Sequence, residues 1–371
     1  MARLFLKHFL PCLLLLCVFP IAASCEWPAW QQYKQFYISD EGRVIDPSSP
    51  QRITTSEGQS YGLFFALVAN DRPTFDKLLT WTENNLAAGD LSVHLPAWLW
   101  GEDDKKNWKV LDSNSASDAD LWIAYDLLEA GRLWQSQRYQ TLGTLLLQRI
   151  GHEEVVDIPG LGTMLLPGKI GFVADNQWRL NPSYLPLQLL TRFSSIHESW
   201  KAVQKTSQRL WLETAPQGFS PDWVAWQPTK GWLADSVKPN IGSYDAIRVY
   251  LWAGMLADDD PHKAALVKQF QPMVNFVVKQ GVPPEKMDTA TGKATAEGPV
   301  GFSAALLPLL AEQVDALAMQ RQRIKDNPLT NNAYFNASLL LFGQGWDQQR
   351  YRFNRQGELQ PSWGGQCVTS D

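Results

Sequence analysis

Helix starts recur about every 60 residues along this chain, and that recurrence narrows the architectures open to it. Patterned helical segments open near residues 57, 118, 182, 243 and 301, at intervals of 61, 64, 61 and about 58. The period is too long for most helical solenoids, but it suits helical hairpins whose loops carry large insertions. Pairing a helix over 332–342 with one over 26–39 gives six hairpins. Six hairpins can close into a ring, which would bring the chain ends together and set the starts of the inner helices on one rim. The expected fold is all-α, with small β-hairpin insertions at that rim within 90–116, 162–173 and 222–235.

The predicted rim is acidic. Asp118 and Asp120 follow Ser117, Glu57 follows Ser56, and Asp245 lies two residues after Ser243. Ser117 with Asp120, and Ser56 with Gln59, have the spacing of capping boxes. Free N–H groups and the helix dipole favour a carboxylate in a first turn, so Asp118 is expected to stay ionised at neutral pH. Two readings stand side by side: the acids only cap their helices, or the starts converge and the acids form a hydrolase-like set. H-E-x-x-H, C-x-x-C, G-x-S-x-G and P-loop patterns are absent from the sequence, and its five His show no ligand spacing. Neither a metal nor another cofactor is expected.

Residues 1–24 read as a secretory signal, with Arg3 and Lys7 ahead of an apolar run and Ala22-Ala23-Ser24 at a cleavage point. The apolar run is too short to span a bilayer. Residues 25–371 show no low-complexity linker and are expected to form one domain in the periplasm or outside the cell. They carry 31 Lys and Arg against 38 Asp and Glu, which disfavours nucleic acid or an anionic membrane surface as partner. Cys25 and Cys367 lie near the two ends and make a disulfide candidate in an oxidising compartment. Two free thiols, or lipidation of Cys25, are the competing readings. Seventeen Trp exceed what a core needs, and suit a polar ligand with flat apolar faces, such as a sugar polymer. Trp98 and Trp100 would share one face of a strand, as core filling or as a sugar platform.

The run Ala116-Ser117-Asp118-Ala119-Asp120-Leu121-Trp122-Ile123-Ala124 resembles the signature of glycoside hydrolase family 8. Ser56-Glu57-Gly58-Gln59-Ser60-Tyr61-Gly62, Asn181-Pro182-Ser183-Tyr184 and Tyr244-Asp245-Ala246-Ile247-Arg248 are similar to the family's other conspicuous segments. The resemblance covers nearly the whole chain after residue 24. It implies an (α/α)6 barrel, inverting endo-β-1,4-glucanase activity on a cellulose-like glucan, and a link to the cellulose synthase machinery. By residue, it implies Glu57 as general acid, Asp245 as general base and Asp118 as the group that holds the sugar at the point of cleavage. Trp98, Tyr184, Tyr244, Arg248 and Tyr334 match positions that line the sugar cleft. Asp126 departs from the pattern, since the family usually has a small residue there. A general acid has to carry a proton near neutrality, so burial or nearby carboxylates must oppose the dipole at Glu57. The alternatives are a chitosanase or xylanase of the same family, a lyase barrel, or a non-hydrolytic glycan binder.

Overall fold

A computed structural model describes residues 26–364, apart from 329 and 333. The expected signal, Cys25 and Cys367 lie outside the described residues, and with them the expected disulfide. The helices are α1 (Pro28–Tyr37), α2 (Ser56–Val68), α3 (Arg72–Leu86), α4 (Ser117–Leu133), α5 (Gln137–Glu153), α6 (Leu187–Ile196) and α7 (Trp200–Glu213). They continue with α8 (Ala246–Gly254), α9 (Lys263–Gln269), α10 (Gln271–Gln280), α11 (Val300–Leu306), α12 (Val314–Asp326) and α13 (Tyr334–Asp347).

Two kinds of helix alternate, and composition separates them. In α2 every residue from Gly58 to Val68 is buried, and in α4 every residue from Ser117 to Gly131. A helix that is buried all round belongs inside. By contrast, α5 buries only Tyr139, Gly143, Leu146, Leu147 and Ile150, a stripe at helical spacing that marks an outer helix. The inner ring runs α2, α4, α6, α8, α11, α13, each touching the next. It closes where Phe342 of α13 meets Phe64 and Phe65 of α2, with ring centroids 5.2 and 4.7 Å apart. Outside it stand α3, α5, α7, the broken pair α9 and α10, α12 and α1, each packed on its inner partner. This is the (α/α)6 barrel, with the first outer helix closing the last hairpin. Near the seam, Arg350 donates to the carbonyl of Glu26 at 2.9 Å.

The axis is filled by aromatic rings from four inner helices. Trp122 lies 5.0 Å from Phe64 and 5.4 Å from Trp252, and Phe342 lies 5.2 Å from Trp252. Tyr351 and Phe353, on the antiparallel pair Tyr351–Phe353 and Leu359–Pro361, seal the end away from the inner N-termini. Burying each such ring stabilises the fold by roughly 2–3 kcal/mol. The tryptophan excess is therefore largely structural: Trp27, Trp30, Trp122, Trp200, Trp211 and Trp252 are all core residues.

The β insertions sit between outer and inner helices, on the side of the inner N-termini. Thr54–Thr55 pairs with Leu99–Glu102, which pairs with Trp108–Asp112. Val155–Ile158 and Gly162–Leu165 form a hairpin. Val173–Ala174, Gln177–Leu180, Val224–Gln227 and Gly231–Ala234 make a four-stranded sheet, and Ile241–Gly242, Pro284–Asp288 and Ala294–Glu297 a three-stranded one.

Local expectations were less accurate than global ones. Neither capping box forms. Thr55, not Ser56, caps α2 by accepting from the Gly58 amide at 3.0 Å. Gln59 points away, accepting from the Val44 amide and donating to Thr82. At α4 neither Ser117 nor Asp120 caps the helix; Asp118 itself accepts from the Ala119 amide at 2.8 Å. On an inner helix these polar side chains are buried: Gln59 takes tertiary partners, whereas the Ser56, Ser117 and Asp120 side-chain oxygens make no hydrogen bond among the described residues. The 181–184 segment is a short 3-10 turn capped by Asn181, and α6 begins only at Leu187, after Pro186. Trp98 directly precedes its strand, and the hairpin carries a bulge at Leu111, the extra residue opposite Leu99 and Trp100. Asp126 is fully buried, and burial raises its carboxyl well above the usual range, so it sits in α4 as a neutral acid.

Candidate active site

Glu57 and Asp118 are each the second residue of an inner helix, and Asp245 directly precedes α8. The three helix starts converge on Arg248, one turn into α8. Its Nη1 donates to Glu57 Oε2 at 2.5 Å, to Asp118 Oδ2 at 3.2 Å and to Tyr61 Oη at 3.0 Å. Its Nη2 donates to Asp245 Oδ1 at 2.7 Å. Burial opposes the charge on this guanidinium, which is only 3% exposed, but Tyr61 and the three acids more than compensate and hold it cationic. The rings of Tyr184 and Phe335 lie 5.8 and 5.9 Å from the guanidinium carbon.

One positive charge thus faces three carboxyls. Burial raises Asp118 to about 7, and the charges of Glu57 and Asp245 push the same way, against Arg248 and the Ala119 amide. Desolvation therefore outweighs the helix dipole, contrary to the expectation of a fully ionised Asp118. Asp118 and Glu57 both accept from Nη1 and so meet at one terminal nitrogen of the guanidinium.

Each acid has a second grip. Tyr334 Oη donates to Glu57 Oε1 at 3.1 Å, and burial keeps that phenol protonated. Trp223 Nε1 donates to Asp245 Oδ2 at 3.1 Å. Asp222, beside Trp223, fixes the backbone of the same segment: its Oδ1 accepts from the amides of Ser243 at 2.7 Å and Ala246 at 2.8 Å. Burial raises Asp222 to about 6, and the Asp245 charge adds to it. It is Asp222 that caps α8.

The structure brings Glu57, Asp118, Asp245, Arg248, Tyr184 and Tyr334 into one cluster. Tyr244 stands at its edge, 44% exposed, with its ring against Phe302 and Phe335. Trp98 flanks α2, its carbonyl accepting from the Ser56 amide at 3.0 Å. Sequence reasoning missed Tyr61, Asp222 and Trp223. Tyr61 had a signal, four residues after Glu57 on the same helix face; Asp222 and Trp223 reach the site only through the fold. A surface concavity of about 790 Å3 at the other end of the barrel touches none of the three acids.

The model of glycosyl hydrolases family 8 matches residues 5–349. The chain belongs to that family. An endoglucanase of Escherichia coli O157:H7 is 59% identical over 98% of this chain and 99% of its own. The crystal structure of an endo-1,4-D-glucanase from Vibrio fischeri ES114 is similar at 49% identity, with a TM-score of 0.86 over 92% of this chain and 100% of that one. A family 8 endoglucanase of Klebsiella pneumoniae follows the same fold at 26% identity, with a TM-score of 0.73 over 87% of this chain and 99% of that one. As a family 8 member the protein is a glycoside hydrolase.

Proposed function

We propose that the protein is an endo-β-1,4-glucanase that cuts internal bonds of a cellulose-like glucan with inversion at the anomeric carbon. The observation that carries this reading is the single guanidinium of Arg248, which holds Glu57 and Asp245 on different terminal nitrogens with Asp118 between the helix starts. In an inverting hydrolase one carboxyl protonates the leaving oxygen while a carboxylate on the opposite face of the sugar takes a proton from water, with the two roughly 6.5–9.5 Å apart. Glu57, which shares Arg248 Nη1 with Asp118 and accepts from Tyr334, is the acid. Asp245, fixed by Trp223 and Arg248, is the base. Asp118 hydrogen-bonds the sugar at the cleavage point. Rings of Tyr184, Trp223 and Tyr244 around the acids supply flat apolar faces of the kind sugar rings stack on, and Trp98 is assigned to the same cleft by the family resemblance.

The endoglucanase names of relatives at 59% and 49% identity support the choice of a β-1,4-glucan over chitosan or xylan. We also propose export to the periplasm, from the leader-like residues 1–24, and work alongside a cellulose synthase. No helix among the described residues is long and apolar enough to cross a membrane. The test is a reducing-end assay across cellulose, chitosan, xylan and mixed-linkage glucan, with viscosity followed in parallel. Fast loss of viscosity on soluble cellulose is expected; activity confined to chitosan or xylan would overturn the substrate.

A further inference from the structure

Outside the catalytic cluster, three tryptophans from separate elements form one platform. Trp100 and Trp108, on adjacent strands of the 99–112 hairpin, stack at 5.2 Å with planes 21° apart. Trp81 of α3 meets Trp100 edge-on at 5.3 Å. Arg43 lies 4.5 Å from the Trp100 ring and 4.8 Å from that of Trp108. It is anchored by donating to Thr54 Oγ1 at 2.8 Å and to the Arg52 carbonyl. Arg52 itself holds a positive φ of 47°, uncommon for a side-chain-bearing residue. Yet Trp108 is 46% exposed, and the group borders a concavity of about 650 Å3 that also takes in Glu41, Arg52 and Asn85.

Single exposed apolar residues are ordinary. A solvent-facing indole held rigid by a second indole and a guanidinium, amid carboxylate, guanidinium and amide groups, is not a single residue. We infer that this platform is a second glucan-binding surface, which takes a stretch of the polymer outside the catalytic cluster. The indole face would accept the C–H face of a sugar ring, and the surrounding polar groups its hydroxyls. Its rigidity limits the entropy lost on binding. The platform is tied to the catalytic cluster through the backbone: Trp100 pairs with Thr54, and Thr55 beside it caps the helix that carries Glu57. This inference rests on the β-glucan reading proposed above.

The test uses the full-length protein with Glu57→Gln to block cleavage, alone and combined with Trp108→Ala or Trp108→Phe. Retardation is measured by native electrophoresis through gels containing soluble cellulose. In parallel, kcat/KM on cellotetraose is measured for Trp108→Ala with Glu57 intact. Loss of one stacking face should weaken polymer retardation about five-fold or more, with Phe restoring most of it. Cellotetraose turnover should stay unchanged, since a short substrate needs only the cluster around the acids. Equal retardation by Trp108→Ala and its parent would overturn the platform, as would a matching loss on cellotetraose, which would place Trp108 among the catalytic contacts. If the wild-type protein cleaves cellotetraose but Glu57→Gln is not retarded, the platform fails alone; if the wild type does not cleave and Glu57→Gln does not bind, the β-glucan reading fails with it.

Discussion

Trp223 donates its indole N–H to Asp245 Oδ2 at 3.1 Å, leaving the other oxygen of that carboxylate to Arg248. Held from two directions, Asp245 keeps its orientation when water and substrate enter, which in its proposed role as base is worth most where geometry sets the rate. Trp223→Phe keeps a flat ring against Phe172 and Tyr184 but deletes the N–H. A loss of about ten-fold or more in kcat, with KM little changed, is expected from steady-state kinetics on soluble cellulose.

Asp222 works on the same segment through the backbone. Asp222→Asn retains an oxygen for the Ser243 and Ala246 amides, whereas Asp222→Ala strands both, one of them at the start of α8. Losing such a cap costs about 1 kcal/mol. The Ala variant should therefore lower both kcat and the urea midpoint, and the Asn variant should recover most of both. Equal losses in the two would show that the charge of Asp222, rather than its acceptor geometry, is what matters.

A buried acid pair behind Asp118 makes a pH prediction. Glu154 is fully buried and accepts from Ser115 Oγ at 2.6 Å; burial raises it to about 8, from an ordinary value of 4.5, with the Ser115 bond pulling the other way. Asp120, one turn into α4, is likewise raised well above the usual range, by burial and then by the charge of Glu154. Between about 4.5 and 8 the folded state thus binds more protons than the unfolded chain, so stability falls as pH rises through that window. Glu154→Gln removes this loss. Its stability relative to the parent should climb between pH 5 and pH 9, by at least about 1 kcal/mol in urea unfolding. A difference that is flat with pH would contradict it.

Ring closure rests on a close approach of α11 and α13. A Cβ at Gly343 would run into the Ala304 carbonyl, a backbone atom with no freedom to yield. Gly343→Ala should cost about 3 kcal/mol or more. Phe342→Leu, one residue away on the ring that seals α13 to α2, should cost less, because it leaves the backbones in place. Thermal unfolding of the two variants checks the order.

The repeat of helix starts was legible in the sequence because inner helices are apolar all round and outer ones striped, a difference of composition that survives without coordinates. Glu57, Asp118 and Asp245 were legible for a related reason: each sits where an inner helix begins, and the ring brings the beginnings together. What the sequence did not show was how buried those starts are. Ser56, Ser117 and Asp120 read as solvent-side caps, yet all three are buried, and the same desolvation that cancels their capping raises Asp118 to about 7. Asp222 and Trp223 lie some 20 residues before Asp245 and about 165 after Glu57, and no local spacing links them to either. The bulge at Leu111, opposite Leu99 and Trp100, leaves no trace in composition.

The central claim is that Glu57 and Asp245 act as acid and base on opposite faces of the sugar. Proton NMR of the first product released from a β-1,4-glucan, recorded before mutarotation, tests it most directly. The account predicts the α-anomer. A β-anomer would contradict inversion, and would recast one of the carboxylates around Arg248 as a nucleophile, with Asp118 the first candidate.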